Sequence, residues 1–306
     1  MTTPITKVAI IGASGNFGRP TTTALRLASF EITIITRPDS TTPHPPDLPV
    51  LRTPYTLPAL TTALSGHDAV VCLLGPAGMS HQPLLIRAAH AARVRRFILS
   101  DFGWGPTAKG LPEFGAVQVQ RREGWDLAAR LAAEDGEGAF SWTGISSGNP
   151  VDWALGRFPT MGFDVGSRRA VVYDDGVEAF SGTTLEGIGR AVVGVLRREE
   201  ETRNRFVRVM SLRTCQRELL AAFEEVTGGK WEVERSSTRG LLERGREKMR
   251  EGKGGWTLDL AVAQLFDEGQ GRCLVAPSWE ESDSVLVGVK KESAVDIVKT
   301  VMASRQ

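Results

Sequence analysis

Four apolar residues, Val8-Ala9-Ile10-Ile11, run directly into glycines at 12, 15 and 18, and then into a segment of helix formers from Arg19 to Phe30. A short, wholly apolar run that stops at glycine is a buried parallel strand ending in a tight turn. Each glycine then has its own mechanical task. Gly12 permits the turn, Gly15 leaves the backbone open to a ligand, and Gly18 lets the helix lie close on the strand. The helix start presents unpaired N–H groups at the positive end of its dipole, a seat suited to a diphosphate. Ser14, Asn16 and Phe17 lie between these glycines and are candidate contacts for the same ligand.

The spacing is GxxGxxG, opened by a strand and closed by a helix near the start of the chain, which points to the short-chain dehydrogenase branch of Rossmann folds. A second strand, Glu31–Thr36, ends at Arg37. NAD-binding domains put a carboxylate at this point to hold the ribose 2′-hydroxyl. A fork-shaped cation instead suits a 2′-phosphate, so the expected cofactor is NADP(H). The fourth strand, Ala69 to Leu74, stops at Gly75-Pro76, and its end is expected to abut the cofactor, because ligands gather at the carboxyl ends of such strands. The fold class read from this alternation is α/β, a Rossmann-type doubly wound parallel sheet with a smaller C-terminal substrate-binding lobe. The expected boundaries are 1–152 for the NADP(H)-binding domain and 153–306 for the lobe, with some segments of the second part returning to the Rossmann sheet.

Lys and Arg total 37 against 36 Asp and Glu, so no net field draws the chain to nucleic acid or to an anionic membrane. No apolar run approaches the ~18 residues of a membrane span, and no signal-peptide pattern opens the sequence. The three cysteines, Cys72, Cys215 and Cys273, are scattered, and none of the four histidines lies in metal-ligand spacing with them. A cytoplasmic protein with a small-molecule substrate, and no metal, is the expectation.

Several segments together resemble the NmrA-like, isoflavone reductase-like group of atypical short-chain dehydrogenases. They are Gly12–Gly18, Thr36-Arg37-Pro38, Gln82 with Ala88-Ala89, Arg96–Gly103, Ser141–Trp153, Phe180–Arg190 and Thr227–Trp231. The stretch Arg96-Phe97-Ile98-Leu99-Ser100-Asp101-Phe102-Gly103 is the most specific of them. The resemblance implies reduction of aromatic or polyketide-like molecules with NADPH, or in a few members non-catalytic sensing of nicotinamide redox state. It also implies that Asn149 and Pro150 border the nicotinamide end of the cofactor, while Leu74 and Gly75, at the carboxyl end of the fourth strand, are the expected contacts there.

Hydride transfer needs a group that handles the accompanying proton. Neither Tyr55 nor Tyr173 is followed four residues later by lysine, so the Tyr-x-x-x-Lys mechanism is excluded. The isoflavone reductase-like branch carries a lysine on the helix after the Ser-Asp-Phe-Gly turn, here about Ala116 to Ala133. Gln120 or Arg121 stands in its place. Arginine does not give up its proton, but it supplies fixed charge beside a developing oxyanion. Asp101 is the remaining candidate proton donor. Phe102, Trp104, Trp153, Phe158, Met161 and Phe163 make an aromatic-rich set fit either for a substrate pocket or for core. The expected activity is NADP(H)-dependent reduction of a bulky apolar molecule, with a cofactor-dependent isomerase or a sensor that binds a protein partner as alternatives.

Overall fold

A computed structural model describes residues 3–136 and 139–304. Seven strands form one parallel sheet: β1 Lys7–Ile11, β2 Glu31–Thr36, β3 Val50–Arg52, β4 Ala69–Cys72, β5 Arg96–Ile98, β6 Ser141–Ser146, and a later strand, Arg205–Arg208. Across the sheet they run Arg205–Arg208, β6, β5, β4, β1, β2, β3. Strand order therefore reverses between β1 and β4, the crevice where a doubly wound sheet takes its ligand.

The apolar strands are sealed on both faces, as a parallel sheet requires. Val8 and Ile10 join a core with helix α1 (Gly18–Leu27) and the later helix Leu185–Arg197, which contributes Ile188, Ala191, Val192 and Val195. Ala9 and Ile11 point the other way, onto α2 (Leu57–Leu64), α3 (Gln82–Ala91) and α4 (Gly115–Glu134). Helix α1 stops at Leu27, three residues short of the expected end, because Ser29 turns into the left-handed region at φ 64°.

The rest of the chain builds a second core around Phe163, Phe180, Phe223, Trp231 and Phe266, flanked by two three-stranded sheets. The strand Glu232–Ser236, with three charged residues in five and no readable strand pattern, pairs in parallel with Arg169–Tyr173. Helix Trp256–Phe266 buries Val262, Ala263, Leu265 and Phe266 in this core. Segments after residue 152 return to the central sheet and its covering layer, among them the stretch at Val287 and Val289. Arg205–Arg208 extends the central sheet beside β6, and Leu185–Arg197 covers α1.

Candidate active site

The loop after β1 closes on itself: the Gly15 N–H donates to the Gly12 carbonyl at 3.1 Å, and the Arg19 N–H to that of Gly15, also at 3.1 Å. Gly12 sits at φ 86°, and a Cβ there would lie 2.4 Å from the Leu73 oxygen of the neighbouring strand. A Cβ on Gly18 would lie 2.1 Å from the Gly12 oxygen, so the helix can rest on the loop only through glycine. Gly15 differs. A Cβ there would meet the Gly12 carbonyl oxygen at 3.3 Å, a tight contact but not an overlap, and the Leu73 oxygen at 3.9 Å. A side chain at this position would therefore crowd the loop without colliding with the backbone. Asn16 is exposed at the rim, and Ser14 and Phe17 are half-buried.

Arg37 stands at the end of β2 with its side chain 58% exposed, and its one charged neighbour among the described residues is Asp39 at 3.8 Å. At that distance, and with Asp39 more exposed still, the guanidinium is free to take a better anion. Tyr55 is a contact the sequence pattern did not flag. Its ring meets His81 edge-on at 5.3 Å, Arg37 lies near it, and burial pushes its phenol up to about 12. A tyrosine two residues past the Thr53 that follows β3 carries no motif, so only the fold reveals it.

At the carboxyl end of β5 the chain is stitched to its neighbours. The Ser100 hydroxyl donates to the Leu74 carbonyl at 2.7 Å, and the Ser100 N–H to Gln82 Oε1 at 2.6 Å. Ser147 donates to the Phe102 carbonyl at 2.7 Å, and the Thr183 hydroxyl to the Ser147 carbonyl at 2.6 Å. These bonds fix the Ser100–Gly103 turn rigidly beside the phosphate loop, and Phe102 reaches it directly, packing on Phe17 with ring centroids 5.8 Å apart.

Asp101 is the buried point of this turn. Its side chain is fully shielded from solvent, Arg121 Nη1 lies 3.6 Å from Oδ1, and the Gly103 N–H is a weak donor to Oδ1 at 3.4 Å. Oδ2 is buried with no hydrogen-bond partner among the described residues, as are Arg121 Nε and Asn149 Oδ1. Burial raises the Asp101 pKa above the ordinary carboxylate range, against the opposing pull of Arg121 and the Gly103 N–H. Buried polar atoms in a native protein are nearly always paired, so unpaired ones at the end of a sheet mark places where a ligand completes the bonding.

The structure thus brings Asp101 and Arg121 together. Gln120 is one residue away on α4, half-buried, with no contact to that pair among the described bonds. Of the aromatic set, Trp153 borders a cavity of about 690 Å³ that opens between the loop crown at Ser14–Asn16 and the short helix Val151–Leu155. Trp104 is half-buried and packs on the second core, and Phe158 is 46% exposed. Met161 and Phe163 are each 1% exposed inside that core, where Phe163 lies 5.0 Å from the Phe223 ring. Their place is packing, and they are not carried forward as substrate contacts.

A family model described as NAD(P)H-binding matches residues 12–152. Oxidoreductase poxI of Penicillium oxalicum is 56% identical over 290 residues, covering 95% of this chain and 92% of poxI. The chain belongs to the same family as oxidoreductase poxI. It is an oxidoreductase with an NAD(P)H-binding domain. Oxidoreductase aprR of Aspergillus flavus is 31% identical over 235 residues, 74% of this chain and 76% of aprR. Among solved structures, AtPrR2 with NADP+ and (+)-pinoresinol superposes with a TM-score of 0.78 at 18% identity, over 98% of this chain and 100% of that one. Leucoanthocyanidin reductase with NADPH, from Vitis vinifera, gives a TM-score of 0.76 at 18% identity, over 96% and 99%. Both share the fold. No helix among the described residues is long and apolar enough to cross a membrane.

Proposed function

We propose that this oxidoreductase uses NADP(H) to reduce a bulky, largely apolar small molecule, in a biosynthetic setting of the secondary-metabolite kind. The observation that carries the reading is the Asp101–Arg121 pair, buried at the end of β5 with unpaired atoms on both partners, next to a loop shaped for a dinucleotide phosphate. The residues fit the cofactor. Gly12 and Gly18 let the loop close and the helix lie on it, Gly15 with Ser14, Asn16 and Phe17 would border the diphosphate, and the exposed Arg37 would meet the 2′-phosphate. Leu74 and Gly75 lie at the end of β4, and the unpaired Asn149 Oδ1, beside Pro150, is available to the nicotinamide end.

Bound NADPH supplies the hydride. The chain's own task is then the proton and the charge. Asp101, with its raised pKa, holds a proton closer to neutrality than an exposed carboxyl does, and can deliver it to an oxygen that gains negative charge. Arg121 cannot exchange a proton, so its contribution is a fixed positive charge beside that oxygen.

The test is isotopic. The protein is given NADPH carrying deuterium in its transferable position and a panel of enones, quinones and aromatic ketones, and products are read by mass spectrometry. Deuterium in a reduced product supports reduction. A product formed with the deuterium still on the cofactor would instead make the protein an isomerase. No turnover of any member, with tight NADPH binding, would favour the sensor.

A further inference from the structure

Arg121 reaches Asp101 because helix α4 lies close on the Ser100–Gly103 turn, and a glycine stands on each side of the approach. At Gly103 a Cβ would lie 3.3 Å from Arg121 Nη1 and 3.6 Å from Asp101 Oδ1. On the helix, Gly124 follows Arg121 by three residues, so the two share a face. A Cβ on Gly124 would lie 2.5 Å from Gln82 Nε2 and 3.2 Å from Gln82 Cδ. The Gln82 amide therefore rests directly on the helix, nearly one turn from the arginine.

Gln82 opens α3 and is 1% exposed. Its amide oxygen is committed, since Oε1 accepts the Ser100 N–H at 2.6 Å, one residue before Asp101. Nε2 is buried with no hydrogen-bond partner among the described residues. A buried donor without an acceptor costs stability, and an apolar side chain of the same length would avoid that cost. The amide is thus a spacer whose oxygen holds the turn and whose nitrogen abuts the helix. Neither neighbour can retreat. Leu85, Ile86, Ala88 and Ala89 of α3 are locked in the same core as Trp125 and Ala128 of α4.

We propose that Gln82 and Gly124 are positioning residues that together set the separation of Arg121 from Asp101. The inference deepens the reading of that pair as proton donor and fixed charge, and rests on it. Among the described residues Arg121 is the one charged side chain within 4.0 Å of the Asp101 carboxyl, and the Gly103 N–H faces it from its own turn. The elements around the turn bring neutral groups: the Gln82 amide from α3, Phe17 from the phosphate loop, and from β4 the Cys72 thiol, which burial pushes up to about 12. A change in the Arg121 distance is therefore read in the titration of Asp101.

The test labels aspartate carboxyl carbons with ¹³C in the intact protein, assigns Asp101 by the resonance missing from Asp101→Asn, and follows its titration by NMR. Arg121→Ala is expected to move the midpoint to higher pH, because it removes the attraction that favours the ionised form. Gly124→Ala, which crowds the amide, and Gln82→Met, which keeps its length but drops the Ser100 bond, should each move the midpoint the same way. Neither should move it further in an Arg121→Ala background. On the enone, quinone or ketone that turns over fastest, both should lower kcat about tenfold or more, with NADPH affinity within about twofold of native, because misplaced reacting groups cost rate. Midpoints that stay at the native value in Gly124→Ala and Gln82→Met, while Arg121→Ala shifts, overturn the proposal and leave the pair intact. Shifts of equal size with and without Arg121 also overturn it. An unmoved midpoint in Arg121→Ala overturns the reading of the pair, and the proposal with it.

Discussion

Asp101→Asn keeps the size and shape of the side chain and removes the exchangeable proton and the charge. General acid catalysis by a positioned group contributes about 10²–10⁴-fold, or about 3–5 kcal/mol of barrier at 1.36 kcal/mol per decade. We therefore predict a fall in kcat of that size in single-turnover NADPH oxidation, with NADPH affinity changed less than about twofold. The pH dependence carries more information. Burial raises the Asp101 pKa, so the protonated form persists to higher pH, and kcat/KM should fall as pH rises through that value. Asp101→Asn should lose this limb. Arg121, at 3.6 Å and 23% exposed, favours the ionised form. Arg121→Ala removes that attraction and should therefore move the limb to higher pH. The stability sign follows from the same shift. A carboxyl whose folded pKa is raised binds its proton more readily when folded, so stability drops as pH rises from the unfolded pKa through the folded one. Asp101→Asn should melt no lower than the native protein above that window, its remaining cost being the unpaired Arg121. Turnover within threefold of native, or an alkaline limb that survives the substitution, refutes Asp101 as the proton donor.

Other expectations are simpler. Arg121→Ala should slow turnover by about a hundredfold, roughly 3 kcal/mol, with NADPH affinity nearly unchanged, and kinetics at the native pH optimum decide it. Gln120→Lys should leave the pH profile as it is if Arg121 and Asp101 face the reaction, and a new titrating limb would move the chemistry to position 120. Gly15→Val should abolish dinucleotide binding at a smaller cost in melting temperature than a substitution at Gly18, because a Cβ at position 15 makes a tight contact, 3.3 Å to the Gly12 oxygen, rather than an overlap. Gly18→Ala should instead lose about 3 kcal/mol of stability or more, since its Cβ would overlap the Gly12 carbonyl, and thermal denaturation of the two variants separates ligand space from packing space.

The parts of this fold that sequence makes visible are those where a local pattern coincides with a global need. Val8–Ile11 and Ala69–Cys72 are apolar because both faces of the sheet are covered, and the glycines end the first strand where the ligand must come in. Asp101 was visible as a polar residue at a strand's end, but its pairing with Arg121, twenty residues later, depends on where α4 crosses the turn. The stitches from Ser100, Ser147 and Thr183 join elements far apart in the chain through common residue types, and no spacing announces them. Met161 and Phe163 illustrate the opposite failure. Aromatic and thioether side chains serve a pocket and a core equally well, and only the lobe's packing around Phe223 and Trp231 assigns them to the core. Glu232–Ser236 carries no readable strand pattern, because an exposed edge strand with three charged residues in five lacks the apolar signal on which strand reading depends.

The central claim is that the loop at Gly12–Gly18 and the cation at the end of β2 bind NADP(H) in preference to NAD(H). Isothermal titration of the native protein and of Arg37→Ala with both reduced cofactors tests it most directly. The account predicts that NADPH binds at least tenfold tighter than NADH to the native protein. In Arg37→Ala, NADPH should lose about 1.5–3 kcal/mol, the scale of a hydrogen bond to a charged group, and NADH should change little. Equal affinity of the native protein for the two cofactors, or a preference for NADPH that Arg37→Ala leaves intact, contradicts it.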